Sequence, residues 1–324
     1  MNVRVIKGLV AAVFVYVMTG CTLSYTIHDP QVSSFTYDSV SAKKVVIKVV
    51  DARKDLVFQR PISNLRNVKI ELKNAEDPIQ WFSAALEKEL SARGVPVEVV
   101  TNDKPVAEDM TLTVKAYQIV SHRMTGFSPW ETYHSFRGEL KKGGQTSTIF
   151  AYFANGHVPK WSMTEVEKPC FNIPMSIVVK DVASKINRKI FNYQAGNDDL
   201  DKINARITEK LADDSEEACL PAIELGATNN MAGLPALVKL ADHKDQFLRA
   251  CSLSAIGTLG ARDQLDLLKN KFNQYDYVDQ FMALKSIGDI GTPEADDFIR
   301  KTRSNEKNQS ENGYVYFMNL YLGD

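Results

Sequence analysis

No run of about twenty consecutive apolar residues occurs in the 324-residue chain, which argues against a spanning helix in the mature protein. Histidine is scarce, and His28, His122, His134, His157 and His243 show neither i, i+4 spacing on a helix nor a neighbouring Cys-x-x-Cys, so the usual zinc arrangements are missing. There is no Gly-x-Ser-x-Gly elbow and no glycine-rich phosphate loop after a strand; Lys142-Gly143-Gly144 fits a hairpin turn better. No nucleophile–base pair or metal-ligand set can be assembled, so the expectation is a non-enzymatic protein with no cofactor, no metal and no small-molecule ligand. Neither charge sign dominates, with 39 Lys+Arg against 40 Asp+Glu and a net charge of −1, which gives no footing for nucleic-acid binding. Only four cysteines are present.

What is present begins with a basic, then apolar, N-terminus: Arg4 and Lys7 precede Leu9 to Val17, a stretch too short to span a bilayer as a mature helix. It has the form of an export signal, residues 1–20, and is set apart from the fold. The sequence Met18-Thr19-Gly20-Cys21 at its end resembles the lipobox of bacterial lipoproteins, with Met18 where leucine is usual. That resemblance implies cleavage before Cys21, lipidation of its sulfur with a palmitate-type acyl anchor, and export into the envelope. Thr22, rather than aspartate, follows the cysteine, which points to the outer membrane with the protein facing the periplasm.

The remaining length suits two domains. An apolar fraction of 44% with 24% charged residues is that of a folded protein. Residues 22–197 carry 23 Lys+Arg against 18 Asp+Glu, whereas residues 198–324 carry 14 against 22. Residues 21–42, rich in Ser, Thr and Tyr, are expected to form a lipidated tether reaching up to ~70 Å when extended, with Ser34 to Asp38 as the part able to add a strand. Residues 43–192 alternate as strands at Lys44–Asp51, Val68–Leu72, Val97–Val100, Met110–Val120, Glu131–Leu140 and Ser147–Phe153. Asp77 as N-cap, Pro78 at the first helical position and Gly94 as a stop frame a helix whose Ile79, Phe82, Leu86 and Leu90 form one stripe. A second helix, Pro174–Phe191, is expected to keep Lys180, Lys185, Arg188 and Lys189 on or near a polar face. Two helices and five or six strands make an α+β, two-layer α/β sandwich.

The pattern Val49-Val50-Asp51-Ala52-Arg53, then Pro61-Ile62-Ser63, then Phe82, Ala85, Leu86, Leu90 and Gly94-Val95 resembles small bacterial envelope lipoproteins of the YajG type. More distantly it is similar to auxiliary lipoproteins of ABC transporters and to the α/β domains of curli-type secretion lipoproteins. Ser63 stands where the family tends to have glycine. The resemblance spans Lys43 to Phe191 and implies an envelope component that binds or assembles, with no family active site.

After a linker at Asn192–Asn197, residues 198–324 repeat. Leu225-Gly226, Ile256-Gly257 and Ile287-Gly288 recur at a spacing of 31 residues, and the same alignment superposes Leu237, Leu268 and Ile299. This period is that of an all-α solenoid, and the second and third units resemble the short bacterial HEAT repeat. In the repeat register Cys219 and Cys251 fall one position out of step on helices expected ~8 to 10 Å apart, too far for a disulfide, so two buried thiols are expected.

Three clusters are candidates for contact with other molecules. Asp51, Arg53, Lys54 and Asp55 crowd the end of the first strand, as a charged-ligand site or as a solvated loop with weak ion pairs. Phe127, Trp130, Tyr133 and Trp161, with Phe136, Tyr152 and Phe153, are either cross-strand packing or an exposed platform for a partner. Asp289, Glu294, Asp296 and Asp297 give the third repeat an acidic edge. The functional expectation is an outer-membrane lipoprotein, held at the membrane through Cys21, that scaffolds a protein partner through its HEAT repeats. The alternative is an accessory subunit of an envelope transport or secretion machine.

Overall fold

A computed structural model describes residues 22–63, 69–101, 108–123, 128–158, 165–213, 218–274, 277–305 and 313–323. The export signal and Cys21 lie outside the described residues, as do Phe127 and Trp161. The chain is mixed α/β, a sheet with its helices followed by a helical C-terminal region.

The sheet runs β5 (Val97–Thr101), β2 (Val45–Asp51), β6 (Met110–Arg123), β7 (Trp130–Lys142) and β8 (Gln145–Val158), with β3 (Gln59–Ser63) beside the second half of β6. The neighbours β5 and β6 are parallel to β2, while β6, β7 and β8 form an antiparallel meander. A register shift between Val114 and Ala116 marks where β6 leaves β2; its later residues then pair with β3. The β7–β8 turn is the expected one: Lys142 pairs with Gln145 across Gly143 (φ +53°) and Gly144 (φ +85°), both in the left-handed region a two-residue hairpin needs.

Helix α1 (Pro78–Ala92) forms as its capping residues dictate, with the Asp77 carboxylate accepting from the backbone N–H of Ile79 and Gln80 at 3.0 Å each. Its stripe Ile79, Phe82, Leu86 and Leu90 is buried. Helix α2 (Ile173–Ile186), extended by π-turns at Lys168–Asn172 and Asn187–Phe191, lies beside it.

The stretch expected as a tether is packed instead. Strand β1 (Thr22–Thr26) pairs in parallel with β4 (Lys69–Lys73), and Tyr25, Ile27, Phe35 and Tyr37 are buried. The apolar residues of this polar segment are scattered singly, with Val32 exposed, so no periodic apolar run announces the packing. Ser34 to Asp38 adds only a bridge, Tyr37 to Ala195, which ties the expected linker to the same core.

The C-terminal region follows α3 (Asn197–Asp213) with α4 (Cys219–Ala227), α5 (Leu234–Leu240), α6 (Gln246–Leu259), α7 (Leu265–Gln274), α8 (Tyr277–Ile290), α9 (Pro293–Asn305) and α10 (Gly313–Leu322). Helices α4, α6 and α8 are buried almost throughout, whereas α5, α7 and α9 bury one stripe each: Leu237 and Leu240, Leu268 and Phe272, Ala295 and Ile299. That division explains the two sequence textures, nearly all small or apolar in the first set and amphipathic in the second. The recurring glycines sit where neighbouring helices touch. A Cβ on Gly226 would lie 2.5 Å from the Ala255 carbonyl oxygen, and one on Gly257 would lie 2.5 Å from Ser286 Cα.

This close approach corrects the cysteine expectation. Cys219 and Cys251 form a disulfide with Cα atoms 5.4 Å apart, and Cys170 is the free, buried cysteine. Equivalent positions in a repeat are not facing positions, and helices whose backbones meet at glycine come nearer than the usual interaxial distance.

One continuous core joins both regions, from Phe35 to Met318. His134 lies within the sheet's interior, fully buried, with Nε2 2.8 Å from the Cys170 carbonyl oxygen. Burial pushes its pKa down to about 4 from 6.5. The folded state therefore resists taking the proton that the unfolded chain accepts. Stability should be full above pH ~6.5 and fall by up to about 3 kcal/mol as pH drops toward 4. Urea unfolding across this range should show the slope, and His134→Gln should flatten it; an unchanged slope in the variant would assign it elsewhere.

Candidate functional site

Most of the buried charged residues converge on α2. Lys180 and Lys185, expected on a polar face, are buried because α2 is covered by the sheet and α1 on one side and by α4 and α6 on the other. Their charges are met by acids from distant segments. Lys180 Nζ is 3.3 Å from Glu89 and 3.6 Å from Glu224, and Arg93 contacts Glu89 at 2.7 Å. Arg93 also donates to Tyr37 Oη, Ser184 Oγ and the Lys180 carbonyl, while Arg206 closes on Glu224 at 2.9 Å. Burial alone would raise the Glu89 carboxyl, but Arg93 and Lys180 outweigh it and hold it below the usual range.

One turn further along, Asp181, Lys185, Lys285 and Asp289 form a closed ring of opposite charges. Lys185 lies 3.0 Å from Asp181 and 2.5 Å from Asp289; Lys285 lies 3.1 Å from Asp181 and 2.6 Å from Asp289. Thr258 Oγ1 donates to Asp181 at 2.9 Å, and Lys185 donates to the Phe150 carbonyl at 2.5 Å. This seam fixes the helical region against the sheet.

Beyond the ring α2 ends at a cleft of about 500 Å³, bounded by Arg188, Lys189, Arg262, Arg300 and Tyr321 above Phe150. Arg188 is held by the carbonyls of Gly257 (3.3 Å) and Thr258 (2.7 Å). Partial burial, followed by the nearby Arg188 and, against the opposing pull of Asp289, Arg262, lowers the Lys189 pKa from its ordinary value.

The residues expected to face a partner are divided by the structure. Trp130 and Tyr133 are buried, at 3% and 8% exposure, and so form no platform. The aromatic surface is covered by the chain's own C-terminal helices: Tyr133 meets Phe281 at 5.9 Å, Phe150 meets Tyr321 at 4.8 Å, and Tyr152 meets Phe317 at 5.5 Å. Asp289 is likewise removed from the acidic edge, since its carboxylate closes the buried ring. Glu294 and Asp297 remain exposed on α9, paired with Lys269 and Lys301. At the end of β2, Arg53 turns back on Asp51 at 2.9 Å and Arg60 takes Asp55 at 2.6 Å, the arrangement of self-paired loop charges. His122 and His134 do not meet; His122 pairs across the strands with Glu131. Among the described residues, no group of three or more His, Cys, Asp or Glu converges as a metal site, and no helix is long and apolar enough to cross a membrane.

No family model and no curated protein matches the chain. Solved structures do. One, described only as an uncharacterized protein, matches at 15% identity and a TM-score of 0.29, over 52% of this chain and 99% of its own. Another, protein XCC0632 from Xanthomonas campestris with the family model DUF330, matches at 9% identity and a TM-score of 0.31, over 51% of this chain and 98% of its own.

Sequence reasoning missed the seam and the cleft. The available signal was a pair of complementary i, i+4 charges in otherwise apolar helices, Asp181 with Lys185 and Lys285 with Asp289. Glu224, alone among the apolar residues of α4, pointed the same way.

Proposed function

We propose that the protein is a non-enzymatic lipoprotein of the outer membrane, held through a lipid on Cys21 and facing the periplasm, where it scaffolds a protein partner. In this reading the C-terminal region is a short HEAT-type solenoid, locked to an α+β lipoprotein domain by the α2 seam. The observation that carries the scaffold is the repeated close packing of Gly226 and Gly257 on the next helix, which sets α5, α7 and α9 in an outward row. The disulfide suits an oxidising compartment. The partner surface shifts accordingly, away from the buried Trp130, Tyr133 and Asp289 and onto the exposed side of that row, with Glu294 and Asp297.

The test combines address and surface. The parent chain should fractionate with the outer membrane and Cys21→Ser should not. A photo-crosslinking residue at Glu294 or Asp297 should capture one envelope protein, and the same group at exposed Leu56 on the sheet region should not capture it. Capture of the same protein from Leu56 alone would place the working surface elsewhere.

A further inference from the structure

The cleft at the end of α2 has a charge that the region around it does not. Residues 198–324 are strongly acidic in total, yet this part of their surface gathers Arg262 and Arg300 beside Arg188 and Lys189 of the preceding segment. The nearby acids are largely engaged: Asp289 is taken up by Lys185 and Lys285, and Asp296 accepts the Tyr321 hydroxyl. Arg188 is anchored on backbone carbonyls with its guanidinium at the cleft, and its position offsets the negative ends of α6 and α8. That leaves Lys189, Arg262 and Arg300 lining the cleft with no side-chain ion pair to a described acid. Converging uncompensated cations in a concave site cost repulsion unless an anion joins them.

We infer that this cleft is a binding site for a phosphate group, held by Lys189, Arg262 and Arg300 with Arg188 behind them. Three or four cations exceed what one carboxylate neutralises and suit a phosphate, whose oxygens accept from several donors at once, with guanidinium forks well matched to them. The floor of Phe150 and Leu322 leaves apolar room for a small organic body joined to the phosphate. The group can arrive as a free phosphate or as a phospholipid headgroup, and the site uses neither the anchor nor Glu294 and Asp297.

The experiment titrates the full chain, in detergent and at fixed ionic strength, with inorganic phosphate and separately with glycerophosphoglycerol, a deacylated phospholipid headgroup, by calorimetry. Saturable binding of either is expected, and which compound binds more tightly identifies the source. In the variant Lys189→Gln/Arg262→Gln/Arg300→Gln, whose altered residues are exposed, affinity should fall at least tenfold with the melting temperature otherwise kept, while Lys301→Gln should bind as the parent does. Absence of saturable binding by both compounds, or equal affinity in the triple variant, would overturn the site.

Discussion

Lys285→Met should destabilise the protein by about 3 to 5 kcal/mol, measured as a shift in urea unfolding, because it leaves a buried ring with two carboxylates and one ammonium. The lysine is fully buried, and its ammonium bridges α2 and α8 through Asp181 and Asp289. Charge balance, rather than the strength of any one contact, sets the size of the loss. The double variant Lys285→Met/Asp289→Leu removes one charge of each sign and leaves Asp181 with Lys185, so it should recover most of the stability. If single and double variants are equally unstable, the effect is one of packing and not of unpaired charge. The ring also contributes at acid pH, below the range of His134. Burial would raise the Asp181 carboxyl, but Lys185 and Lys285 hold it below 3.8, so this contribution is present above the unfolded carboxylate range and is lost as pH falls below it.

Removing the disulfide should cost nearly as much. Cys219 and Cys251 are 32 positions apart, and closing a loop of that size restricts the unfolded chain by about 3 to 4 kcal/mol. The pair Cys219→Ser/Cys251→Ser should therefore unfold at markedly lower denaturant, and the parent should lose stability in the same direction under a strong reductant. Both sulfurs are buried at the contact of α4 with α6, so some of the loss is the burial of two hydroxyls in an apolar site. Cys219→Ala/Cys251→Ala separates the two contributions: a loss confined to the serine variant would mean that the cross-link itself adds little. The bond also bears on the compartment, because such a staple persists where thiols are not kept reduced.

Local rules were legible where a residue acts on its own neighbours. Asp77, Pro78 and Gly94 mark the ends of α1 because capping and left-handed turning are decided within a few residues. Gly226, Gly257 and Gly288 marked a repeat because each recurs at a helix contact, the first two against the backbone of the next helix and Gly288 against the rings of Phe317 and Tyr321. What escaped depends on partners far along the chain. Lys180 looked solvated until Glu89 and Glu224, from α1 and α4, closed on it. Trp130 and Tyr133 could be read as cross-strand packing or as a platform because nothing in their own strand shows what covers them, the cluster of Tyr25 and Phe171 for Trp130 and Phe281 for Tyr133. Strand β3 was hidden by Pro61 and by its pairing with β6 at the margin of the sheet, where a proline is tolerated. The cysteine pairing failed for a geometric reason, since a repeat period gives equivalence and not contact.

In the proposed reading the folded body, its two regions joined along α2, would be held by a lipid at its N-terminus. Because β1 begins at Thr22 and pairs at once with β4, that lipid would hold one end of the folded body close to the membrane, without a long tether. The most direct test is the mass of the N-terminal peptide from protein isolated from the membrane fraction. The account predicts a chain beginning at Cys21 and carrying acyl groups; an unmodified cysteine, or a chain retaining residues 1–20, would contradict it.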